Sequence, residues 1–332
     1  MPTLGSVAER AGVSRATASR ALSGSPKVSP QAKEAVLRAA AELEYLPNRA
    51  ARWLATRRSE SIAFVVSESE ERLFADPFFL GLLRGAHAEV AARGYQLLFT
   101  IAASAADREQ LANWAVRGHI DGIVLISLHG DDILPERLES MGVPVVLSGR
   151  PIREGPVHYV DADNRGGART ATNLLIQRGC RRVATIAGPQ DMCAGQDRLA
   201  GYRDALRDEG LRPTRKLVAD GDFTVTGGAQ AMRRLLRGSP DIDGVFAASD
   251  LMAIGAIQAL ESLGRHVPVD VAVVGFDDVA AALIADPPLT TVRQPIEVMG
   301  RQMARTLLDR IDGRPVRQGI ILPTELVRRG SA

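Results

Sequence analysis

Lysine is scarce in this chain of 332 residues: only Lys27, Lys33 and Lys216 occur, and none follows the glycines that a phosphate-binding G-x-x-x-x-G-K-[ST] loop requires. Cysteine is scarcer still. Cys180 and Cys193 stand alone, with neither C-x-x-C nor metal-like spacing to the histidines, so free thiols in a reducing compartment are expected, not a disulfide scaffold or a zinc site. His87, His119, His129, His158 and His266 are scattered, none is clearly paired with a nucleophile, and G-x-S-x-G and H-E-x-x-H are both missing. These absences predict a protein that is not an enzyme and holds no metal or cofactor. No apolar run approaches the roughly 18 residues of a membrane span, and the first residues lack the apolar stretch of a secretion signal. A cytoplasmic protein with no membrane partner is expected, of more than one domain and with 45% apolar residues to build a core.

What is present begins with an uneven distribution of charge. Residues 1–59 hold ten Lys and Arg against four Glu, a net +6, whereas the remainder carries −4. A basic head on a near-neutral protein is suited to meeting phosphates at that end. Within it, Leu4, Val7, Ala8 and Ala11 recur at helical spacing and Gly12 follows as a C′ glycine would. Ser14 can cap a second helix, giving the outline of a helix-turn-helix. Ala18, Ala21 and Leu22 would face the first helix, and Arg15, Ala16, Ser19 and Arg20 would share the opposite face. Ser29-Pro30 starts a third helix, whose Val36, Leu37, Ala40 and Leu43 can cover the first two. Residues 47–59 are short, basic and only marginally helical alone, which predicts a linker whose helicity depends on a partner.

From Ile62 onward, short apolar strands alternate with helices, as in a parallel sheet covered on both faces. Ile120-Asp121-Gly122-Ile123-Val124 is echoed by Ile242-Asp243-Gly244-Val245-Phe246, and Val143-Pro144-Val145 by Val267-Pro268-Val269. Two α/β lobes of like fold are expected: one over about 60–159 plus 291–322, the other over about 160–290 plus the C-terminal tail. Ligands bind beyond the carboxyl ends of parallel strands, so the lobes would face each other across a cleft. Phe78, Phe79, Arg198, Phe223, Ser249 and Asp277 all lie at such ends, and Ser127, Arg150 and Asp163 are placed there by position alone. Asp and Arg suit pairs of sugar hydroxyls, and an aromatic ring suits the C–H face of a pyranose.

Thr3-Leu4 through Val7-Ala8, Ala11-Gly12-Val13-Ser14, Thr17-x-Ser19-Arg20, Val28-Ser29 and Tyr45-x-Pro47-Asn48 together resemble the DNA-binding head of the lactose-repressor family. The resemblance covers essentially the whole chain. It implies a helix-turn-helix head over 1–46, a hinge helix and linker over 47–59, and a periplasmic-binding-protein-like core over 60–332 that binds an effector and dimerises. It further implies a transcription regulator, a repressor by expectation, held as a homodimer on a pseudo-palindromic double-stranded DNA operator. Implied DNA contacts are Thr3, Ser14, Arg15, Ala16, Thr17, Ser19 and Arg20 in the head, and Asn48, Arg49, Ala51 and Leu54 in the hinge. Arg15, Ala16 and Arg20 match positions that read bases; Thr17 and Ser19 suit phosphates. Leu54 matches a minor-groove wedge, while Trp53 is bulkier than the pattern and has no assigned role. Arg198, Asp277, Phe78 and Phe223 match effector contacts. With no heptads ahead of Ser331-Ala332, a dimer is expected and not a coiled-coil tetramer.

Val65-Val66-Ser67-Glu68, Phe74-Ala75-Asp76-Pro77-Phe78 and Ile186-Ala187-Gly188-Pro189-Gln190-Asp191-Met192 resemble, more narrowly, the actinobacterial regulators of cellulose use. The implied effector is cellobiose or a cello-oligosaccharide. The alternatives are a sugar-binding protein of the periplasmic type and a regulator responding to a non-sugar effector such as a purine.

Overall fold

The computed structural model describes every residue except 1, 23, 24, 26, 46–57, 131 and 154, and it divides into two compact units, Met1–Ser59 and Glu60–Ala332. In the first unit α1 spans Leu4–Arg10, α2 Arg15–Leu22 and α3 Pro30–Glu42. Side-chain caps set each start. The Thr3 hydroxyl accepts from the Ser6 N–H at 3.2 Å, that of Ser14 from Thr17 at 3.1 Å, and that of Ser29 from Ala32 at 3.3 Å. Gly12, at φ +66°, makes the turn between α1 and α2, a backbone conformation that glycine adopts without steric cost. The core of this unit is small: Val7, Ala8, Ala18, Ala21, Val36, Ala39 and Ala40 are buried, and an Arg10–Glu42 ion pair at 2.8 Å ties α1 to α3.

The second unit begins with β1 (Ser61–Val66), α4 (Glu70–Ala75), α5 (Pro77–Ala92), β2 (Gln96–Ile101), α6 (Ala105–Val116), β3 (Gly122–Ile126), α7 (Leu134–Ser140), β4 (Val145–Ser148) and β5 (His158–Ala162). There follow α8 (Asn164–Gln177), β6 (Val183–Ala187), α9 (Cys193–Asp208), β7 (Val218–Asp220), α10 (Val225–Gly238), β8 (Gly244–Ala247), α11 (Asp250–Ser262) and β9 (Ala272–Asp277). The chain closes with α12 (Ala280–Ile284), β10 (Thr290–Arg293), α13 (Ile296–Ile311), β11 (Gly319–Leu322) and β12 (Glu325–Val327). Two six-stranded sheets result, ordered β11-β5-β4-β3-β1-β2 and β12-β10-β9-β8-β6-β7. Among the described residues every pairing is parallel except β10 with β12. The echoed runs at 120–124 and 242–246 fall at matching places, since β3 and β8 hold the same position in the two sheets. Strands β1, β3, β6 and β8 are buried along their whole length, as their near-continuous apolar runs require.

The chain passes between lobes three times: from β5 into α8, which packs on the second lobe; from β10 into α13, which packs on α5 of the first; and from β11 into β12. The expected lobe limits therefore shift. Strand β5 pairs with β4 in parallel, so the first lobe runs to Ala162 and not to 159. Strand β10 pairs with β9, so residues 291–293 belong to the second lobe.

Helices α5 and α13 cross with their backbones almost touching. A Cβ on Gly85 would stand 2.0 Å from the Glu297 carbonyl oxygen, and one on Gly300 would stand 2.1 Å from that of Leu82. The second lobe repeats the device in α10 and α11, where a Cβ on Gly255 would stand 1.9 Å from the Val225 carbonyl oxygen. Backbone cannot swing aside as a side-chain tip can. Gly85→Ala should therefore push the two helices apart and destabilise the core by about 1–3 kcal/mol. An unchanged urea-unfolding midpoint would contradict so close a crossing.

Candidate functional site

On the head, Arg15, Ala16, Ser19 and Arg20 form the exposed face of α2, opposite buried Ala18 and Ala21. Thr17 is half-buried and exchanges a 2.9 Å hydrogen bond with the Ser14 hydroxyl; Thr3 and Ser14 are the exposed caps already described. The Arg15 guanidinium folds back over α1, so that a Cβ on Gly5 would meet its Nη2 at 2.7 Å. Asn48, Arg49, Ala51, Leu54 and Trp53 lie outside the described residues, and so does the expected hinge helix.

In the core, a cavity of about 580 Å³, mouth included, opens between the lobes at the carboxyl ends of both sheets. The first lobe contributes Arg72, Asp76, Phe78, Phe79, Ser127 and Asp161; the second contributes Asn164, Arg198, Phe223, Ser249, Asp277 and Gln294. Seven residues singled out from the sequence meet here: Phe78, Phe79, Ser127, Arg198, Phe223, Ser249 and Asp277.

Local structure sets their positions. Asp76 caps α5 by accepting from the Phe78 N–H at 3.0 Å, which fixes Phe78 and Phe79 at the first turn with their rings edge to face, 5.7 Å between centroids. Ser249 caps α11 through the Met252 N–H. Ser127, Phe223 and Asp277 sit at φ +61°, +63° and +117°, conformations non-glycine residues seldom adopt. Such strain is tolerated where the surroundings over-determine it, and it clusters at ligand sites. All three line the cavity.

Arg198 is the electrostatic centre. Its Nε donates to Asn164 Oδ1 at 2.8 Å, and its Nη1 donates to the Ala248 carbonyl oxygen at 2.5 Å and to Asp277 Oδ1 at 3.3 Å. The guanidinium lies 3.8 Å from the centroid of the Phe276 ring. Burial lowers the Arg198 pKa from its ordinary value, against the opposing pull of Asp277 and Asp161. Burial also pushes the Asp277 carboxyl up to about 7, although Arg198 and a 2.6 Å hydrogen bond from Gln294 pull it down. Asp76, Asp161 and Asp250 are raised for the same first reason, loss of water. Three buried carboxyls, Asp76, Asp161 and Asp277, line the cavity beside Arg72 and Arg198, and a ligand rich in hydroxyls can hydrogen-bond to both sets.

Two expected residues lie elsewhere. Asp163 is exposed and caps α8 through the Gly166 N–H at 2.9 Å; the polar groups facing the cavity from this crossover are its neighbours Asp161 and Asn164. Arg150 is exposed and pairs with Asp197 at 2.8 Å, outside the cavity. Asp163 sits at the crossover, where the alternation of a strand no longer predicts which side chain turns inward. Arg72, Asp161, Asn164 and Gln294 were not singled out from the sequence as contacts. Gln294 follows β10 directly, so a strand-end search that counted β10 in the second sheet would have found it.

The molecule so defined joins a helix-turn-helix unit with an exposed basic face to a two-lobed α/β unit with a polar cavity between its lobes. The chain belongs to the bacterial regulatory proteins of the lacI family, whose pattern matches residues 3–48, with a periplasmic binding protein-like domain matching residues 172–332. It is 52% identical to the HTH-type transcriptional regulator CelR of Thermobifida fusca, over 99% of this chain and 98% of that protein. The HTH-type transcriptional repressor CytR of Escherichia coli (strain K12) is 35% identical over 99% of this chain and 96% of its own length. Among solved structures, a transcriptional regulator CelR–cellobiose complex aligns over 100% of both chains with a TM-score of 0.80 at 49% identity. The lac repressor dimer bound to operator and the anti-inducer ONPF aligns with a TM-score of 0.83 at 26% identity, over 99% of this chain and 98% of that one. The expected family and fold are thereby borne out. No helix among the described residues is long and apolar enough to cross a membrane.

Proposed function

We propose that this chain is a cytoplasmic repressor that binds a pseudo-palindromic operator as a homodimer and responds to cellobiose or a short cello-oligosaccharide held between its lobes. The observation that carries the effector class is the cavity: a buried Arg198–Asp277 pair, further carboxylates, and the rings of Phe78, Phe79 and Phe223 around one space. Hydroxyl pairs engage the first set and the apolar face of a pyranose the second. Identity of 52% over nearly the whole chain to CelR, and likeness to a CelR–cellobiose complex, support the same effector.

Catalysis has no support in the site. The Ser127 hydroxyl donates to Glu68 and the His129 imidazole meets the same Glu68 oxygen, so the serine is paired with a carboxylate that already serves two cations and is not paired with the imidazole. Binding is the better use of these groups. Cellobiose at 100 times its Kd should stabilise the core by about 2.7 kcal/mol, raising Tm. Glucose, which fills part of the space, should raise it less. No rise with any mono- or disaccharide would remove the sugar class.

For the head, the proposal is that Arg15 and Arg20 read base edges from the exposed face of α2, while Thr3, Ser14, Thr17 and Ser19 meet phosphates. Half-sites should stand about one helical turn, ~34 Å, apart. Arg20→Ala should relax base preference at one position per half-site, by roughly 1–3 kcal/mol. Binding to a panel of operators with single base changes measures this; an unaltered preference at every position would return Arg20 to a solvated helix face.

A further inference from the structure

Outside the Arg198–Asp277 centre, a second charged cluster spans the two lobes at the cavity's edge. Glu68, in the loop after β1, is almost fully buried, and one oxygen of its carboxylate, Oε1, accepts from three side chains of its own lobe. Arg72 Nη1 donates to it at 2.5 Å, the Ser127 hydroxyl donates to it as well, and His129 Nε2 lies 2.9 Å away. The other ring nitrogen of His129, Nδ1, lies 2.9 Å from Asp191 Oδ2, and Asp191 belongs to the second lobe, in the loop after β6. Beside it the Gly130 N–H donates to the Asp191 carbonyl oxygen at 2.8 Å. An imidazole with a carboxylate on each nitrogen donates both bonds only as the imidazolium.

At the cavity end of the same cluster, Arg72 reaches across the gap. Its guanidinium lies 5.2 Å from the ring centroid of Phe223 in the second lobe and 5.9 Å from that of Phe79 in its own. Nη1 is taken by Glu68, but Nε is buried with no hydrogen-bond partner, in a side chain that lines the cavity. A buried donor without an acceptor is unfavourable, and a ligand oxygen brought to it removes the penalty.

We propose that Arg72 is a sugar-binding residue that donates from Nε to an effector oxygen, and that Glu68, His129 and Asp191 extend this contact into a clasp holding the lobes shut over the ligand. The inference rests on the proposed sugar effector and deepens it. Arg72 cannot turn toward the ligand without loading Glu68, and Glu68 holds the imidazolium that reaches the opposite lobe. Arg72 and His129 thus share one carboxylate oxygen. The groups facing His129 are Glu68 and Asp191, both acidic; Arg72 faces it only across Glu68, and the nearby Asp132 is paired with Arg108 at 3.2 Å. Both carboxylates raise the His129 pKa above its ordinary value, so the clasp is intact at pH 6 and is lost as pH rises through that raised value.

Stopped-flow measurement of cellobiose release from the full chain, at pH 6 and pH 9, tests the clasp. Expressed against His129→Arg, which keeps a permanent charge and paired donors, wild type should release at a similar rate at pH 6 and roughly tenfold faster at pH 9, about the loss of one charge-assisted hydrogen bond. His129→Ala should release faster than His129→Arg by a similar factor at both pH values. The Asp277 titration is common to all three proteins and cancels in their ratios. Equal pH profiles for the wild type and both variants would overturn the clasp. Arg72→Lys retains a charge for Glu68 but lacks Nε; its cellobiose affinity should fall by roughly tenfold while its Tm without sugar stays near the wild-type value. Undiminished affinity would remove Arg72 from the site. A wild type that binds no cellobiose at all would instead defeat the effector assignment on which the proposal rests.

Discussion

Arg198→Ala is expected to destabilise the core by about 3–5 kcal/mol, the largest effect of any single change considered for this protein, because it strips the partner from buried charge. The residue is only 5% exposed, and loss of its side chain leaves the Asn164 Oδ1, the Ala248 carbonyl oxygen and Asp277 short of a donor at once. The flat face of Phe276 also loses the cation packed against it. Part of this loss depends on pH. Asp277 already titrates near 7 because it is buried, and Arg198 is the strongest influence holding it down. Without Arg198 the folded-state value moves further up, while the unfolded chain keeps its ordinary low value. A raised carboxyl pKa means that stability falls as pH climbs from the unfolded value to the folded one and levels off above it. In wild type the fall ends near pH 7; in the variant it continues. The gap in Tm between the two proteins should therefore be smaller at pH 6 than at pH 8.5. A gap that shrinks with rising pH would mean that Asp277 is not the charge left exposed to the interior.

Asp277→Asn isolates the other half of the pair. Asparagine matches aspartate in shape, so the substitution leaves the side chain's packing and the backbone at φ +117° as they are. What is lost is a charged acceptor, worth about 1.5–3 kcal/mol in a hydrogen bond, or roughly 10–100-fold in sugar affinity. The protonated acid is also the weaker acceptor. Sugar binding should therefore favour the carboxylate and release a proton, and the ratio of wild-type to variant affinity should grow as pH rises through about 7. Calorimetry in buffers of different ionisation enthalpy reads both affinity and proton release. A constant ratio across pH 6–8 would show that the Asp277 carboxyl does not touch the sugar. The variant should still bind operator normally without sugar, since its head is unchanged.

How much of this could be read from the chain alone differs by kind of signal. Caps and local periodicity carried furthest: Ser29-Pro30 opens α3 and Gly12 turns the chain between α1 and α2 as expected, because both depend on residues within one or two turns. Sheet membership did not follow the same logic. Nothing local to Thr290–Arg293 says that it pairs with β9, because that partnership is made by tertiary contacts. The cavity was legible where a residue sits at the end of a recognisable strand, as Ser249 and Asp277 do. It failed at the crossover, where Asp163, placed there by position alone, proved to be a helix cap while Asp161 and Asn164 face the cavity. Arg72 was invisible for a different reason. In Glu70-Glu71-Arg72-Leu73 it resembles one charge among several on a solvated helix, and only the packed structure shows its guanidinium between two phenyl rings. Arg150 erred in the opposite sense, since its strand-end position was right and its partner, Asp197, lies outside the cavity.

The central claim is that occupancy of the cavity controls the grip of the head on DNA. An effector can shift that equilibrium only by its difference in affinity for the two states, typically 1–3 kcal/mol, or ~5–150-fold. The direct measurement is fluorescence anisotropy of a labelled operator with the full chain, titrated with cellobiose at fixed salt, because phosphate contacts make the affinity salt-dependent. Operator affinity is predicted to fall by at least ~5-fold as cellobiose saturates, with the midpoint at the sugar's own Kd corrected for that coupling, and operator should weaken cellobiose binding by the same factor. An operator affinity that stays constant while calorimetry shows the cavity filled would contradict the account.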